Sequence, residues 1–122
     1  MPFALIVEDT TEIAGIIELS LQSAGFETHH AVNGRLALDY LAGRLPDVMV
    51  LDIGMPGMNG WQVLEQIKER WPDSNFPIVI LTAFDDAANK LIGKLQGRVY
   101  RYMTKPFNPQ DVITTVQEAL NA

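Results

Sequence analysis

Short, continuous apolar runs alternate along this chain with stretches that repeat apolar residues at helical spacing, and this alternation is the strongest constraint on its fold. The runs predict five strands, at residues 3–7, 27–31, 48–51, 78–81 and 99–103. Runs without polar interruption are typical of parallel strands that helices cover on both faces. The second run contains His29 and His30 and is more polar, which suits an edge strand. The sequence therefore predicts an α/β fold with a doubly wound parallel sheet and leaves the strand order open.

Apolar stripes at helical spacing lie between these runs and after the last one. They comprise Ile13, Ile16, Ile17, Leu21 and Ala24; Leu36, Ala37, Tyr40 and Leu41; Val63, Leu64, Ile67 and Trp71; Ala88, Leu91, Ile92 and Leu95; and Val112, Ile113, Val116, Ala119 and Leu120. The last helix carries its own start signals, since Asn108 can cap it, Pro109 suits the first helical position and Asp111 suits the positive end of the helix dipole. Each stripe predicts one helix face that packs on the sheet.

Length, charge and cysteine content narrow the class of protein. The 122 residues fit one domain, which we expect to span residues 1–122. The net charge of -6 and the lack of a clustered Lys/Arg patch argue against direct binding to nucleic acid or to an acidic membrane. The chain has no cysteine, no basic leader at its start and no apolar stretch of membrane-spanning length. We expect a soluble, cytoplasmic domain.

A polar side chain suited to phosphoryl chemistry follows four of the five predicted strands. Glu8 and Asp9 follow the first strand, Asp52 the third, Thr82 the fourth and Lys105 the fifth. Taken singly, each has a plain structural explanation: a helix cap, a loop acid, a strand threonine or a solvated surface lysine. Their shared placement favours a functional site, because the carboxyl ends of parallel strands line one edge of a sheet.

The charges of this predicted crevice call for a cation. Glu8, Asp9 and Asp52 bring three negative charges and Lys105 brings one positive charge, so the crevice is about two charges short of neutral. A divalent cation cancels the difference, and oxygen ligands point to Mg²⁺ or Mn²⁺. We expect Asp9 and Asp52 to bind the metal directly, Glu8 to act through a bound water, and the backbone carbonyl of Gly54 to be a further ligand.

With a metal bound, the crevice suits phosphoryl transfer to a carboxylate. Asp52 is the predicted nucleophile. The metal, Lys105 and the hydroxyl of Thr82 would each hold one phosphoryl oxygen.

Four short motifs give the chain a specific family resemblance. They are Val7-Glu8-Asp9, Asp52 followed by Met55-Pro56-Gly57-Met58-Asn59-Gly60, Leu81-Thr82-Ala83, and Tyr102-Met103-Thr104-Lys105-Pro106-Phe107, with Asn33-Gly34 and Ala37 as a weaker match. In this order and at these separations, they make the chain similar to the receiver domain of bacterial response regulators along nearly its whole length.

The resemblance implies the flavodoxin-like strand order 2-1-3-4-5 and transfer of a phosphoryl group onto Asp52 from a histidine kinase or phosphotransfer protein. It also implies a cis peptide between Lys105 and Pro106, and a switch in which Thr82 moves toward the phosphoryl group and the ring of Tyr102 turns inward. A purely static packing role also suits Tyr102. The face formed by the fourth helix, fifth strand and fifth helix would then contact a downstream protein, an output domain or a second copy of the chain.

The sequence departs from the family pattern in two places. Thr82 and Lys105 are one residue farther apart than is common, and the segment 97–101 replaces the small pair usual before the fifth strand. Gly54 and Phe84 stand two positions after Asp52 and Thr82, where family side chains control access of water to the acyl phosphate.

Three alternatives share part of this pattern. A hydrolase resembling the haloacid dehalogenases would carry a second aspartate two residues after the nucleophile, where this chain has Gly54. A flavin-binding electron carrier would cradle a phosphate in its first loop, where Glu8 and Asp9 would repel it. A degenerate receiver would only bind partners, and the complete set of site residues argues against it.

Overall fold

Five parallel strands form a single sheet in the computed structural model, which describes residues 1–83 and 99–121. In chain order they are β1 (Phe3–Val7), β2 (Glu27–Ala31), β3 (Val48–Asp52), β4 (Ile78–Thr82) and β5 (Val99–Thr104). Their order across the sheet is β2-β1-β3-β4-β5, which confirms the doubly wound sheet and the strand order that the resemblance implied. Three strands run one residue beyond their predicted ends, so that Asp52, Thr82 and Thr104 belong to the sheet.

Helices cover both faces of the sheet. The described residues form α1 (Thr11–Ser23), α2 (Gly34–Leu41), α3 (Gly60–Arg70) and the C-terminal helix α4 (Pro109–Asn121). None of these is long and apolar enough to cross a membrane. The predicted helix with the stripe Ala88, Leu91, Ile92 and Leu95 lies outside the described residues, as does Phe84.

Asparagine side chains cap the N-terminus of three of the helices. The Asn33 side chain accepts a hydrogen bond from the first turn of α2, and Asn59 forms a reciprocal capping box with the first turn of α3. Asn108 accepts a hydrogen bond from the backbone N–H of Gln110 at 2.8 Å, and the helix begins at Pro109 as predicted.

Two apolar cores lie on opposite faces of the sheet because successive strand residues point to opposite sides. The core under α2 and α3 contains Leu5, Val7, Met49, Leu51, Ile78 and Ile80 from the strands. The core under α1 and α4 contains Ala4, Ile6, Val48, Val50, Val79 and Leu81. Strands β1, β3 and β4 are buried at every residue, which explains why they are apolar without alternation.

The edge strand β2 is polar, as predicted, and its side chains have specific partners. Glu27 pairs with the Arg44 guanidinium, and the Thr28 hydroxyl donates to the Glu18 carboxylate. The His29 ring stacks on the Tyr40 ring, and the His30 ring is hydrogen-bonded to the backbone carbonyl of Glu8. The two histidines thus contact different elements, consistent with their opposite directions along a strand. These contacts attach the edge strand to α1, to the site after β1, and to α2 and the loop after it.

A β-bulge interrupts the pairing at the other edge of the sheet, in the part of the chain between Thr82 and Lys105. In the pairing of β4 with β5, Ile78 lies opposite Val99 but Val79 lies opposite Arg101, so Tyr100 has no counterpart in the register. Beyond the bulge the register is regular up to the ends of both strands. The irregularity is therefore confined to the start of β5 and does not reach the carboxyl edge of the sheet.

Candidate functional site

The polar side chains at the strand ends converge at the carboxyl edge of the sheet. Glu8 and Asp9 follow β1, Asp52 ends β3 and Thr82 ends β4. The backbone N–H of Lys105, which follows β5, donates to the carbonyl of Thr82 at 2.7 Å, so the ends of β4 and β5 are joined at the site. Oxygens of the three carboxylates lie within 4.8 Å of one another.

The ammonium group of Lys105 lies between two carboxylates. Its Nζ is 2.9 Å from Glu8 Oε1, 3.0 Å from Glu8 Oε2 and 3.4 Å from Asp52 Oδ2. The lysine side chain is only 16% exposed and the two acids are almost fully enclosed. Ionic hydrogen bonds of this kind compensate for the loss of water around buried charges.

Glu8 is fully buried at the centre of this arrangement. Burial raises the pKa of its carboxyl above the ordinary glutamate value; the hydrogen bond from Lys105 opposes that rise, and the charge of Asp52 adds to it. The N–H of Thr10 also donates to Glu8 Oε1, at 3.3 Å. Glu8 is thus the principal counter-ion of Lys105 in this arrangement, a contact that the sequence analysis did not anticipate.

The carboxylate of Asp52 receives a different donor on each oxygen. The backbone N–H of Gly54 donates to Oδ1 at 3.0 Å, and Lys105 approaches Oδ2. Asp52 is 4% exposed, while Gly54 beside it is exposed. The acid is therefore held in a defined orientation close to the solvent-exposed residue Gly54.

The loop after Asp52 returns to the site and begins α3 there. The N–H of Gly60 donates to the carbonyl of Ile53 at 3.3 Å, and a Cβ at Gly60 would lie 2.6 Å from Ile53 Cα. Gly57 within the loop has a φ of +76°, which disfavours a side chain. Glycine at these positions permits the close approach of the α3 start to the strand that carries Asp52.

The remaining predicted residues complete the edge of the crevice. Thr82 is fully buried at the end of β4. The peptide bond between Lys105 and Pro106 is cis. The donor set offered to a cation by Glu8, Asp9 and Asp52 consists of oxygens alone, which fits a hard divalent cation such as Mg²⁺.

The comparison with protein families agrees with this geometry. The family described as the response regulator receiver domain matches residues 4–117. The chain belongs to this family. Its strand order and its helices on both faces are those of the flavodoxin-like receiver fold, as chemotaxis-type receiver structures also show.

Two solved structures and one transcriptional regulator are similar in sequence to this receiver domain over most of its length. It is 31% identical to the chemotaxis protein CheY4 of Vibrio cholerae, over 98% of each chain, with a TM-score of 0.89. The receiver domain of a Francisella response regulator is 30% identical, covering 99% of this chain and 98% of that one, with a TM-score of 0.88. The DNA-binding transcriptional regulator NtrC of Escherichia coli K12 is 35% identical over 116 residues, which are 95% of this chain and 24% of NtrC. The chain thus spans about a quarter of the length of that relative.

Tyr102 lies on the same face of the receiver sheet as Thr82. It is opposite Ile80 in the β4–β5 register, and both pack with the core under α2 and α3. Thr82 is two residues after Ile80 and so points to the same face. The ring centroid of Tyr102 is 6.2 Å from that of Trp61 at the start of α3, with the planes tilted by 42°.

Sequence reasoning brought the polar residues together but missed three features around them. It did not foresee the pairing of Glu8 with Lys105, the amide of Gly54 on Asp52, or the contact of Trp61 with Tyr102. The first two are local geometry that residue spacing does not encode. The third has a partial signal in the sequence, because Trp61 directly follows Gly60 and so lies in the first turn of α3, next to the site.

Proposed function

We propose that this receiver domain accepts a phosphoryl group on Asp52 from a phosphohistidine of a sensor kinase or of a phosphotransfer protein. In that step the phosphorus–nitrogen bond of the donor breaks and a bond forms from a carboxylate oxygen of Asp52 to phosphorus. The electron pair of the broken bond stays on the imidazole nitrogen, which takes up a proton. The domain thus acts as a signalling phosphoacceptor and not as an enzyme with a separate substrate.

One observation carries the proposal: the nearly buried carboxylate of Asp52 shares the ammonium of Lys105 with Glu8. A carboxylate at this position is oriented and partly freed from water, as nucleophilic attack requires. Lys105 is placed to bind an oxygen of the incoming phosphoryl group, since its ammonium already lies 3.4 Å from Asp52 Oδ2. The developing phosphoryl oxygens would compete with Glu8 for it.

A divalent cation, Mg²⁺ or Mn²⁺, would be held by Asp9 and Asp52, with Glu8 acting through water and the carbonyl of Gly54 as a further ligand. When bound, it would supply charge neutralisation to the phosphoryl oxygens. The three acids fit that role because their oxygens lie within 4.8 Å of one another. Thr82 would hold a phosphoryl oxygen through its hydroxyl and, with Tyr102, form the switch.

The output would pass through a protein contact. We propose that β5 and α4, together with the predicted fourth helix that lies outside the described residues, bind a downstream protein, an output domain or a second phosphorylated copy. The domain would span residues 1–122 and act in the cytoplasm. NtrC is described as a DNA-binding regulator, but the acidic balance of this chain favours a protein partner over direct DNA contact.

The test is phosphorylation by acetyl phosphate in the presence of Mg²⁺, followed on a gel that retards phosphoproteins and by intact mass. We expect the wild-type protein to gain one phosphoryl group when Mg²⁺ is present and none after chelation. Asp52→Asn should gain none. Asp39→Asn is the matched control, because Asp39 is an exposed aspartate on α2, and it should behave as the wild type.

The outcomes separate the proposal from its alternatives. Equal modification of Asp52→Asn would move the acceptor to another residue. No modification of the wild type by acetyl phosphate or by a phosphohistidine donor would leave a domain that only binds partners. Hydrolysis of many small phosphate monoesters per protein molecule would indicate the hydrolase alternative.

A further inference from the structure

An aromatic contact joins the start of α3 to β5, on the face of the sheet that also carries Thr82. Trp61 and Tyr102 are both half-buried, and their ring centroids are 6.2 Å apart in a tilted arrangement. This separation lies within the range in which aromatic pairs attract each other beyond simple burial. The two residues belong to elements that are far apart in sequence, so the contact couples them directly.

The position of Trp61 depends on the backbone beside Asp52. Trp61 follows Gly60, whose N–H bonds to the carbonyl of Ile53, the residue after the phosphoacceptor. A Cβ on Gly60 would lie 2.6 Å from Ile53 Cα and 3.0 Å from the carbonyl oxygen of Asp52. The start of α3 is therefore fixed against the site, and the capping box of Asn59 and Gln62 holds the first turn of the helix.

The position of Tyr102 depends on the bulge at Tyr100. Val99 and Tyr102 both pack with the core under α2 and α3, whereas Tyr100 and Met103 pack with the core under α1 and α4. A strand without a bulge would put residues 99 and 102 on opposite faces. The bulge thus brings the ring of Tyr102 to the side where Trp61 lies.

We propose that Trp61 is a positioning residue for Tyr102, whose aromatic contact favours the arrangement in which Lys105 remains paired with Glu8. The inference rests on the proposed function, since it concerns the regulation of the same site. The hydrogen bond from Gly60 to Ile53 attaches the backbone beside Trp61 to the strand that carries Asp52. The ring of Trp61 restrains Tyr102, the proposed switch residue. Removing the ring should therefore make the phosphorylated arrangement easier to reach.

The direction follows from the contacts present together in this structure. The Trp61–Tyr102 contact coexists with the ion pair of Lys105 and Glu8, in which the ammonium is engaged by both glutamate oxygens. A phosphoryl group on Asp52 would draw Lys105 away from Glu8. If the aromatic contact is lost when the ring of Tyr102 moves, as the proposed switch requires, it must weaken binding of a phosphoryl mimic by the same factor by which it favours the first arrangement.

The experiment measures binding of beryllofluoride, a phosphoryl mimic, with Mg²⁺ by fluorine NMR on the intact chain. In Trp61→Leu we expect the half-saturating concentration to fall about three- to tenfold, the range of a lost aromatic contact. Trp61→Phe, which keeps a ring, should return most of the way to the wild-type value. Trp71→Phe is the matched control, because Trp71 packs with the same core at the other end of α3, and its value should stay unchanged.

A double-mutant cycle with Tyr102→Leu distinguishes positioning from general loosening. If Trp61 acts through Tyr102, Trp61→Leu should change beryllofluoride binding far less in the Tyr102→Leu background. Equal effects in both backgrounds, or an equal effect of Trp71→Phe, would overturn the inference. If the wild type binds beryllofluoride and Trp61→Leu binds it with the same half-saturating concentration, the inference is overturned as well.

Fluorescence gives a second measurement that leaves Trp61 in place. In the Trp71→Phe protein, the emission comes from Trp61, and we expect it to change on addition of beryllofluoride and Mg²⁺. That change should be largely lost in Trp71→Phe/Tyr102→Leu; its full retention would contradict the inference. Failure of the wild type to bind beryllofluoride or to be phosphorylated at Asp52 would overturn the proposed function itself, and the inference with it.

Discussion

The two outer strands of the sheet are built in different ways. At one edge, β2 pairs with β1 in an uninterrupted register from Phe3 opposite Glu27 to Val7 opposite Ala31. At the other, β5 pairs with β4 through a bulge at Tyr100, and its residues are half-buried or exposed. The regular edge carries polar side chains with fixed partners, and the bulged edge leads into the lysine of the site.

The contrast shows where the fold tolerates irregularity. Side chains of β2 contact partners on both sides of the sheet, so a change of register there would break several contacts at once. The bulge in β5 lies upstream of Tyr102 and Lys105, and the register after it is regular. The bulge at this edge therefore leaves the pairing of the strand ends beside the functional residues regular.

Single-residue deletions in β2 and in β5 should give the largest difference in the free energy of unfolding between the two edges. Deletion of Tyr100 removes the residue without a counterpart, so Val99 and Arg101 can keep their partners on β4; we expect a loss of about 1–2 kcal/mol from the missing ring. Deletion of Thr28 from β2 has no bulge to absorb it and sends part of the strand to the opposite face. We expect a loss of about 4 kcal/mol or more. Urea unfolding followed by circular dichroism measures both.

The two deletions serve as each other's control. Equal destabilisation by both would mean that the bulge residue is as necessary to the fold as a regular strand residue. A larger loss from the Tyr100 deletion would reverse the comparison between the edges.

Lys105→Met tests the buried end of the bulged edge and should have the next largest effect. It keeps the apolar stem but leaves Glu8 and Asp52 without the ammonium between them, which we expect to cost about 3 kcal/mol at neutral pH without divalent cations. Burial already raises the pKa of Glu8, and loss of the Lys105 hydrogen bond removes an opposing effect. The folded variant then binds a proton more readily than the unfolded chain, so its deficit should shrink as the pH falls toward the ordinary glutamate pKa and grow as the pH rises.

Urea unfolding at about pH 5 and at about pH 8 measures this dependence. Lys68→Met is the matched control, because Lys68 is exposed in the last turn of α3, and it should lose little stability at either pH. A deficit for Lys105→Met that is independent of pH would argue against a charged Glu8 as its origin.

The sheet was predictable from sequence because burial dictates composition. Strands enclosed on both faces, such as β1 and β3, must be apolar at every residue, so their positions can be found without the structure. The bulge in β5, by contrast, has no signal of its own in the apolar pattern of the strand. Its location at Tyr100 depends on which side chains fit each core, and periodicity does not contain that information.

Which residues form the site was predictable from the topology of the sheet. Which of its acids pairs with Lys105 was not. Parallel strands bring their carboxyl ends to one edge, so Asp9, Asp52 and Lys105 could be expected near one another. Which acid takes the ammonium depends on side-chain reach and burial. Glu8, placed by sequence reasoning behind a metal-bound water, is the residue whose two oxygens contact Lys105 in the structure.

The smallest expected effect belongs to the regular edge and tests whether its polar contacts act singly or together. Arg44 holds both carboxylate oxygens of Glu27, at 2.6 and 3.1 Å, and this contact lowers the pKa of the glutamate. The pair therefore adds stability above the ordinary glutamate pKa and loses it as the pH falls through the lowered value. Because both side chains are about half exposed, Glu27→Gln should lower the melting temperature only slightly at neutral pH.

That difference should shrink in high salt and vanish in acid, as thermal unfolding at two salt concentrations and two pH values would show. Arg44→Met should cost more than Glu27→Gln, since the guanidinium also lies 3.9 Å from the centroid of the Phe3 ring. A loss from Glu27→Gln that is large and insensitive to salt would mean that the ion pair sets the register of β2. In that case the regular edge would depend on a single contact, and its other polar contacts would contribute little to the register.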